Sequence, residues 1–189
     1  MAAPSTSSAR RDELLELSYR HVLEHGITGM SLRPLARAVG SSPRVLLYCF
    51  ESKEGLVRAL LARARADEME RISRIDASGD VREVSAEVWR WLAAPEHRPL
   101  LRVWVESYAR SLAEPEGPWA GFAAATVADW LRLLEQAQSP ALRGTERGVA
   151  QCTLLLAVLR GAMLDLLATG DEERTTGAVQ RHLAGLELG

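Results

Sequence analysis

Six side chains within residues 31–53 are the candidates to hold a nucleic acid: the hydroxyls of Ser31, Ser42 and Tyr48, and the cations of Arg33, Arg44 and Lys53. Hydroxyls and cations bond to phosphate oxygens, and an arginine fork also matches the two acceptors on the major-groove edge of guanine. Arg44 therefore has two readings, a base edge or a phosphate clamp, and only the first carries sequence information. Pro43 joins the set as the residue beside it at a helix start. Lys53 is the only lysine; the other basic residues are arginines. It falls in the first turn of a helix, where the macrodipole disfavours a cation, so a nearby phosphate is the expected reason for it.

The elements that must position these side chains are legible in the same stretch. Ser31 is an expected N-cap, and Leu32, Leu35, Ala36 and Val39 follow at i, i+3, i+4, i+7, one apolar face of a helix. Pro34 sits in the first turn, where its missing N–H would be unpaired anyway. Gly40 stops the helix. Ser42 is the next N-cap with Pro43 at the first helical position, and the short helix that follows should bury Leu46 and Phe50. Ser52 caps a third helix from Lys53. Two capped helices joined by a glycine turn form a helix-turn-helix, whose second helix can enter the major groove.

Residues 9–58 resemble the DNA-binding head of the TetR family of bacterial repressors. The match runs through Gly26, the serine-capped helix with Ala36 and Gly40, then Leu46, Tyr48, Phe50, Lys53 and Leu56. Leu47 stands where the family often has the first of two aromatics, and Cys49 where it often has histidine. The resemblance implies an all-α fold of about nine helices. It divides the chain into a disordered arm over 1–9, a three-helix helix-turn-helix domain over 10–55, and a helical ligand-binding and dimerisation bundle over 56–189. It further implies a homodimeric, cytoplasmic repressor on a double-stranded DNA operator, released by a small-molecule effector.

The bulk numbers agree with a soluble regulator. The chain has 189 residues, 47% hydrophobic and 25% charged, with a net charge of −2. Residues 1–58 carry 8 Lys+Arg against 6 Asp+Glu, so the head is basic while the remainder has a surplus of acids. That asymmetry favours DNA binding, although a difference this small also arises by chance. The first ten residues lack the apolar segment of a signal peptide. No uninterrupted apolar run reaches 18 residues, so no membrane span is expected. Cys49 and Cys152 form no CxxC and suggest a reducing compartment.

The first helix is expected over Arg10 to His25, with Leu14, Leu15, Ser18 and Val22 inward. Arg10 and Arg11 read equally well as a basic arm or as solvated charge. His21 and His25 have a metal-ligand spacing but no third ligand, and the helix C-terminus accounts for them; no metal and no cofactor are expected. The helix from Ser52 should run to about Ile75, and Ala77 to Asp80 punctuates the chain. Asp80 with Glu83 forms a capping box for the next helix.

All five tryptophans, 89, 91, 104, 119 and 130, lie in one region. Tryptophan at helical spacing usually packs in a core, but the resemblance implies that some line a cavity for an apolar or aromatic molecule. The candidates are Met69, Trp89, Trp104, Tyr108, Phe122 and Trp130. Glu106 reads either as an anchor for a cationic ligand or as part of a solvated charge stripe with Arg102 and Arg110.

Leu142 to Thr169 is apolar on all sides and must be buried on both faces. With the last helix it resembles the dimer contact of the family, placing Cys152, Leu156, Leu159, Met163 and Leu183 at a two-fold seam; a monomer core is the other reading. No GxGxxG, P-loop or GxSxG is present, and none of the four histidines has a glutamate three residues before it. An enzyme on a helical bundle is therefore the weaker alternative. A dimeric interaction protein without DNA binding is the other.

Overall fold

The computed structural model describes residues 6–72 and 80–186, with the side chains at 6, 7, 71 and 72 excepted. Among these residues the chain is all helix. The elements are α1 (Thr6–His25), α2 (Leu32–Ala38), α3 (Pro43–Phe50), α4 (Lys53–Ile72), α5 (Val81–Ala93), a 3₁₀ turn at Pro95–His97, α6 (Arg98–Ala113), α7 (Phe122–Gln136), α8 (Glu146–Thr169) and α9 (Glu172–Ala184). Helix α1 starts at Thr6, four residues before the expected Arg10, so part of the expected arm is helical. The expected punctuation at 77–79 and the end of the expected helix at Ile75 lie outside the described residues.

The chain forms two compact units, Met1–Glu68 with Pro99–Ala123, and Met69–Arg98 with Ala124–Gly189. They do not part at residue 56. Helix α4 stays with the first unit as far as Glu68, because α1 is bonded well along it, and α6 belongs there through Glu106, which accepts from the N–H groups of Ile27 and Thr28. The Tyr19 hydroxyl donates to Asp67 Oδ2 at 2.9 Å. The Arg63 guanidinium donates to Glu16 and lies 4.8 Å over the Tyr19 ring. Leu14, Ser18, Val22, Leu35, Leu46, Phe50, Leu56 and Leu60 form the buried centre of this unit.

Gly55 has a packing role in the first turn of α4. A Cβ there would lie 2.0 Å from the Phe50 carbonyl oxygen. Only glycine lets α4 start so close beneath the end of α3, where Glu51 reverses the chain at φ 66°.

In the second unit α5, α8 and α9 pack on one another. Asp80 and Glu83 make the expected capping box at the start of α5. Thr145 caps α8, which ends at a left-handed Gly170. Arg174 on α9 clamps the corner, donating to both carboxylate oxygens of Asp165 at 2.7 Å and to Asp171 at 3.1 Å. These bonds hold the Asp165 carboxyl below its ordinary pKa, the Arg174 bond first among the causes.

The residues expected at a two-fold seam lie in the core of this unit. Cys152, Leu156, Leu159, Met163 and Leu183 are all buried inside this unit, none more than 7% exposed. They belong to the core against α5 and α9 and are not on an outer face. The large apolar side chains left outside on α8 are Val149, Leu154 and Leu164, exposed by 59%, 55% and 42%. Periodicity found the stripe but could not say which side of an all-apolar helix turns inward. By length and composition alone α8 could cross a membrane, but Arg160 and Asp165 interrupt it, and the core helix of a folded bundle has the same composition. The inward side of α8, with Cys152, Leu155, Leu156, Leu159, Met163 and Leu166 buried, accounts for part of that apolar composition.

Candidate nucleic-acid interface

Helices α1, α2 and α3 pack together. The α2–α3 turn passes through Gly40, with φ 62°, and the Ser41 N–H donates to the Ala36 carbonyl at 2.8 Å. The Ser42 hydroxyl accepts from the Val45 N–H at 3.3 Å, capping α3 as expected. The Ser52 hydroxyl accepts from the Gly55 N–H at 2.9 Å and caps α4. Ser31 departs from expectation. Its backbone is extended as an N-cap requires, but its hydroxyl makes no cap hydrogen bond. The exposed hydroxyl is thus not committed to the helix end.

Leu46 and Phe50 hold α3 to the core, 1% and 4% exposed. The opposite side carries Arg44, Val45, Leu47 and Tyr48, all exposed, with Tyr48 at 81%. Ser31, Arg33, Ser42 and Lys53 are exposed as well, and Pro43 is half-buried. The seven expected contact residues therefore lie on the accessible parts of α2, α3 and the start of α4. Arg44 and Lys53 make no ion pair among the described residues. Val45, Leu47 and Arg37 are exposed there too and were not singled out from sequence. The signal for the first two was the burial of Leu46, since its neighbours on a helix must turn away.

Arg10 and Arg11 are occupied locally. Arg10 pairs with Glu13 at 2.7 Å, and Arg11 lies 5.1 Å over the Phe50 ring and 3.7 Å from Asp12. His21 and His25 stack at 4.1 Å, and no group of three metal ligands occurs among the described residues. Burial lowers the His21 pKa, with the His25 charge contributing.

Glu106 has neither of its expected roles. Its Oε2 accepts the N–H of Ile27 at 2.9 Å and of Thr28 at 3.0 Å, so α6 holds the α1–α2 turn. A cleft of about 380 Å³ opens beside that turn, lined by Met30, Lys53, Val57, Arg110, Glu114 and Trp119 among others.

The expected effector residues fall in both units. Trp104, Tyr108 and Phe122 belong to the first, and Met69, Trp89 and Trp130 to the second. Trp104 and Tyr108 stack on α6 with centroids 4.9 Å apart. Trp89 donates to Thr176 Oγ1 at 3.0 Å and lines a groove of about 410 Å³ between α5 and α9. Trp130 meets Trp91 at 6.3 Å, and Trp91 stacks on His97. Neither the cleft nor the groove is lined by Trp104, Tyr108, Phe122 or Trp130.

No family model matches the chain. A curated relative is the HTH-type transcriptional repressor AcnR of Corynebacterium diphtheriae, 35% identical over 99 residues. The match covers 52% of this chain and 48% of AcnR, so the chain spans about half the length of that relative. A transcriptional regulator of the TetR family from Cytophaga hutchinsonii superposes with a TM-score of 0.79 over 100% of both chains at 16% identity. The multidrug binding protein EbrR complexed with ethidium superposes with a TM-score of 0.67 at 25% identity, over 91% of this chain and 97% of EbrR.

Proposed function

We propose that this chain, whose fold is that of the TetR-family transcriptional regulators, is a DNA-binding regulator that works as a homodimeric repressor and is released from its operator by a small, largely apolar or aromatic molecule. The observation that carries DNA binding is the exposed side of α3. It presents Arg44 and Tyr48 on a helix capped by Ser42, with Lys53 exposed at the root of α4. Tyr48 and the cations suit phosphate contacts, and Arg44 suits a guanine edge. Operator binding would place the protein in the cytoplasm, with the genome.

Repression is supported by the match to AcnR. The dimer is supported by the outer side of α8, where Ala150, Leu154, Ala157, Gly161 and Leu164 are exposed. A two-fold contact lays the same patch of each copy on the other. It sets two α3 helices to reach half-sites about one helical turn, ~34–36 Å, or a multiple apart. The effector class is supported by the stacked Trp104–Tyr108 pair and by the ethidium bound to EbrR. Such a molecule acts by preferring the form whose heads are wrongly spaced, and it lowers operator affinity by the ratio of its affinities for the two forms.

The deciding experiment is binding to duplexes from the gene's own promoter region at several salt concentrations. The logarithm of the binding constant should fall linearly with the logarithm of salt, by about 0.9 per phosphate contacted. Binding that is absent, or indifferent to salt, would leave a helical interaction protein without DNA binding.

A further inference from the structure

The exposed side of α3 is more apolar than phosphate binding requires. At about 100° per residue, Arg44 and Tyr48 lie near the centre of the exposed arc. Leu47 and Val45 lie at its two margins, and Leu46 and Phe50 point the opposite way, into the core. Val45 and Leu47 are exposed by 37% and 39% on a helix of only eight residues. Arg33, Arg37, Arg44 and Lys53 are exposed on the same helix-turn-helix and at the start of α4, against exposed Glu51 and Glu54. The surplus positive charge complements a polyanion.

We propose that Val45 and Leu47 determine sequence specificity by contacting thymine 5-methyl groups on either side of the base pair that Arg44 engages. This rests on the reading of α3 as the recognition helix. An aliphatic side chain cannot hydrogen-bond a base edge. The thymine methyl is the apolar group that the four bases present in the major groove. Cytosine lacks it at the same carbon. Two aliphatic side chains flanking an arginine fork therefore select a half-site in which thymines bracket a guanine.

The test starts from duplexes selected from a random library by the full chain. Each thymine of the selected site is replaced by 2′-deoxyuridine, which removes one methyl and keeps every hydrogen-bonding group. At two positions in each half-site the dissociation constant should rise about fourfold, the worth of one buried methyl. Leu47→Ala should make one of those positions indifferent to the methyl, and Val45→Ala the other. Both side chains are only partly exposed, so melting should fall slightly while far-UV circular dichroism shows the variants folded. If deoxyuridine is neutral at every position of a tightly bound site, the inference falls. It falls equally if Leu47→Ala weakens thymine and deoxyuridine duplexes alike, which would mark a phosphate contact. If the library yields no binding sequence and no salt-dependent affinity, the regulator reading falls with it.

Discussion

The carboxylate of Glu106 takes two backbone N–H groups at once, from Ile27 and Thr28, and it approaches so closely that a Cβ on Gly26 would lie 2.9 Å from its Oε1. Gly26 also has φ 81°, a conformation that side chains resist. The turn that leads into the helix-turn-helix is thus tied to α6 by one side chain, and glycine is what allows the approach.

Glu106→Ala should lower stability by about 1.5–3 kcal/mol, the usual worth of hydrogen bonds to a charged group. Gly26→Ala adds left-handed strain of about 1–2 kcal/mol and must also displace the carboxylate. With Glu106 removed only the strain remains, so the double variant should be more stable than the two losses predict together. Urea denaturation of the four proteins measures this. Strict additivity would mean that the contact carries no coupling.

Arg44→Ala should weaken operator binding by about 1–3 kcal/mol and relax specificity at one position of each half-site. Lys53→Ala should weaken all duplexes alike and flatten the salt slope by about one ion per subunit. Fluorescence anisotropy against matched and mismatched duplexes separates the two effects. If neither variant changes binding to a verified operator, the recognition helix is wrongly placed.

Leu154→Glu and Leu164→Glu should give folded monomers, because both side chains are exposed on α8 and a seam between copies would bury the new carboxylates. Leu159→Glu is no test of assembly. Leu159 is 1% exposed within its own unit, so that variant should unfold. Sedimentation with circular dichroism distinguishes the cases. Wild-type protein that runs as a monomer at micromolar concentration would end the dimer reading.

Cys152 should be the slow thiol. Burial, helped by the Glu135 charge, raises its pKa from 9.0 to about 11. A thiol reagent at pH 8 should modify half-buried Cys49 first and Cys152 at a rate that tracks unfolding. Because the folded thiol keeps its proton when the unfolded one has lost it, this group's contribution makes stability fall as pH rises from about 9 to about 11. Equal reaction rates for the two cysteines in the native protein would contradict the burial.

Tyr108→Ala should leave operator binding intact and blunt release by an aromatic effector, with ethidium as the first probe. Trp104 is a poorer choice, since at 6% exposure its loss costs packing as well. Release at the wild-type ethidium concentration would show that Tyr108 does not contact the molecule.

The helix-turn-helix was legible because local signals coincide there. Ser42, Pro43 and Ser52 mark helix starts, and Leu46 and Phe50 mark the inner face. Glu106 was not legible. Its partners are the backbone N–H groups of residues nearly 80 positions earlier, and backbone groups leave no trace in residue type. The inner face of α8 was not legible either. Leu154, Leu156 and Leu159 are one residue type, and only the placement of α5 and α9 separates an outer leucine from inner ones. Ser31 looked like Ser42, yet only Ser42 closes its cap, a difference of hydroxyl orientation.

Lys53 carries the chain's single side-chain ε-amine, exposed at the root of α4. A lysine-directed dye would thus mark this root at one defined side-chain position without any engineered residue. In a two-fold assembly the pair of dyes would sit at the bases of the two heads. Energy transfer between them would then follow head spacing as a ligand is added, in solution and without DNA. A lysine-specific protease likewise has one bond to cut, between Lys53 and Glu54, and protection of that bond by a duplex would footprint the bound head from the protein's side.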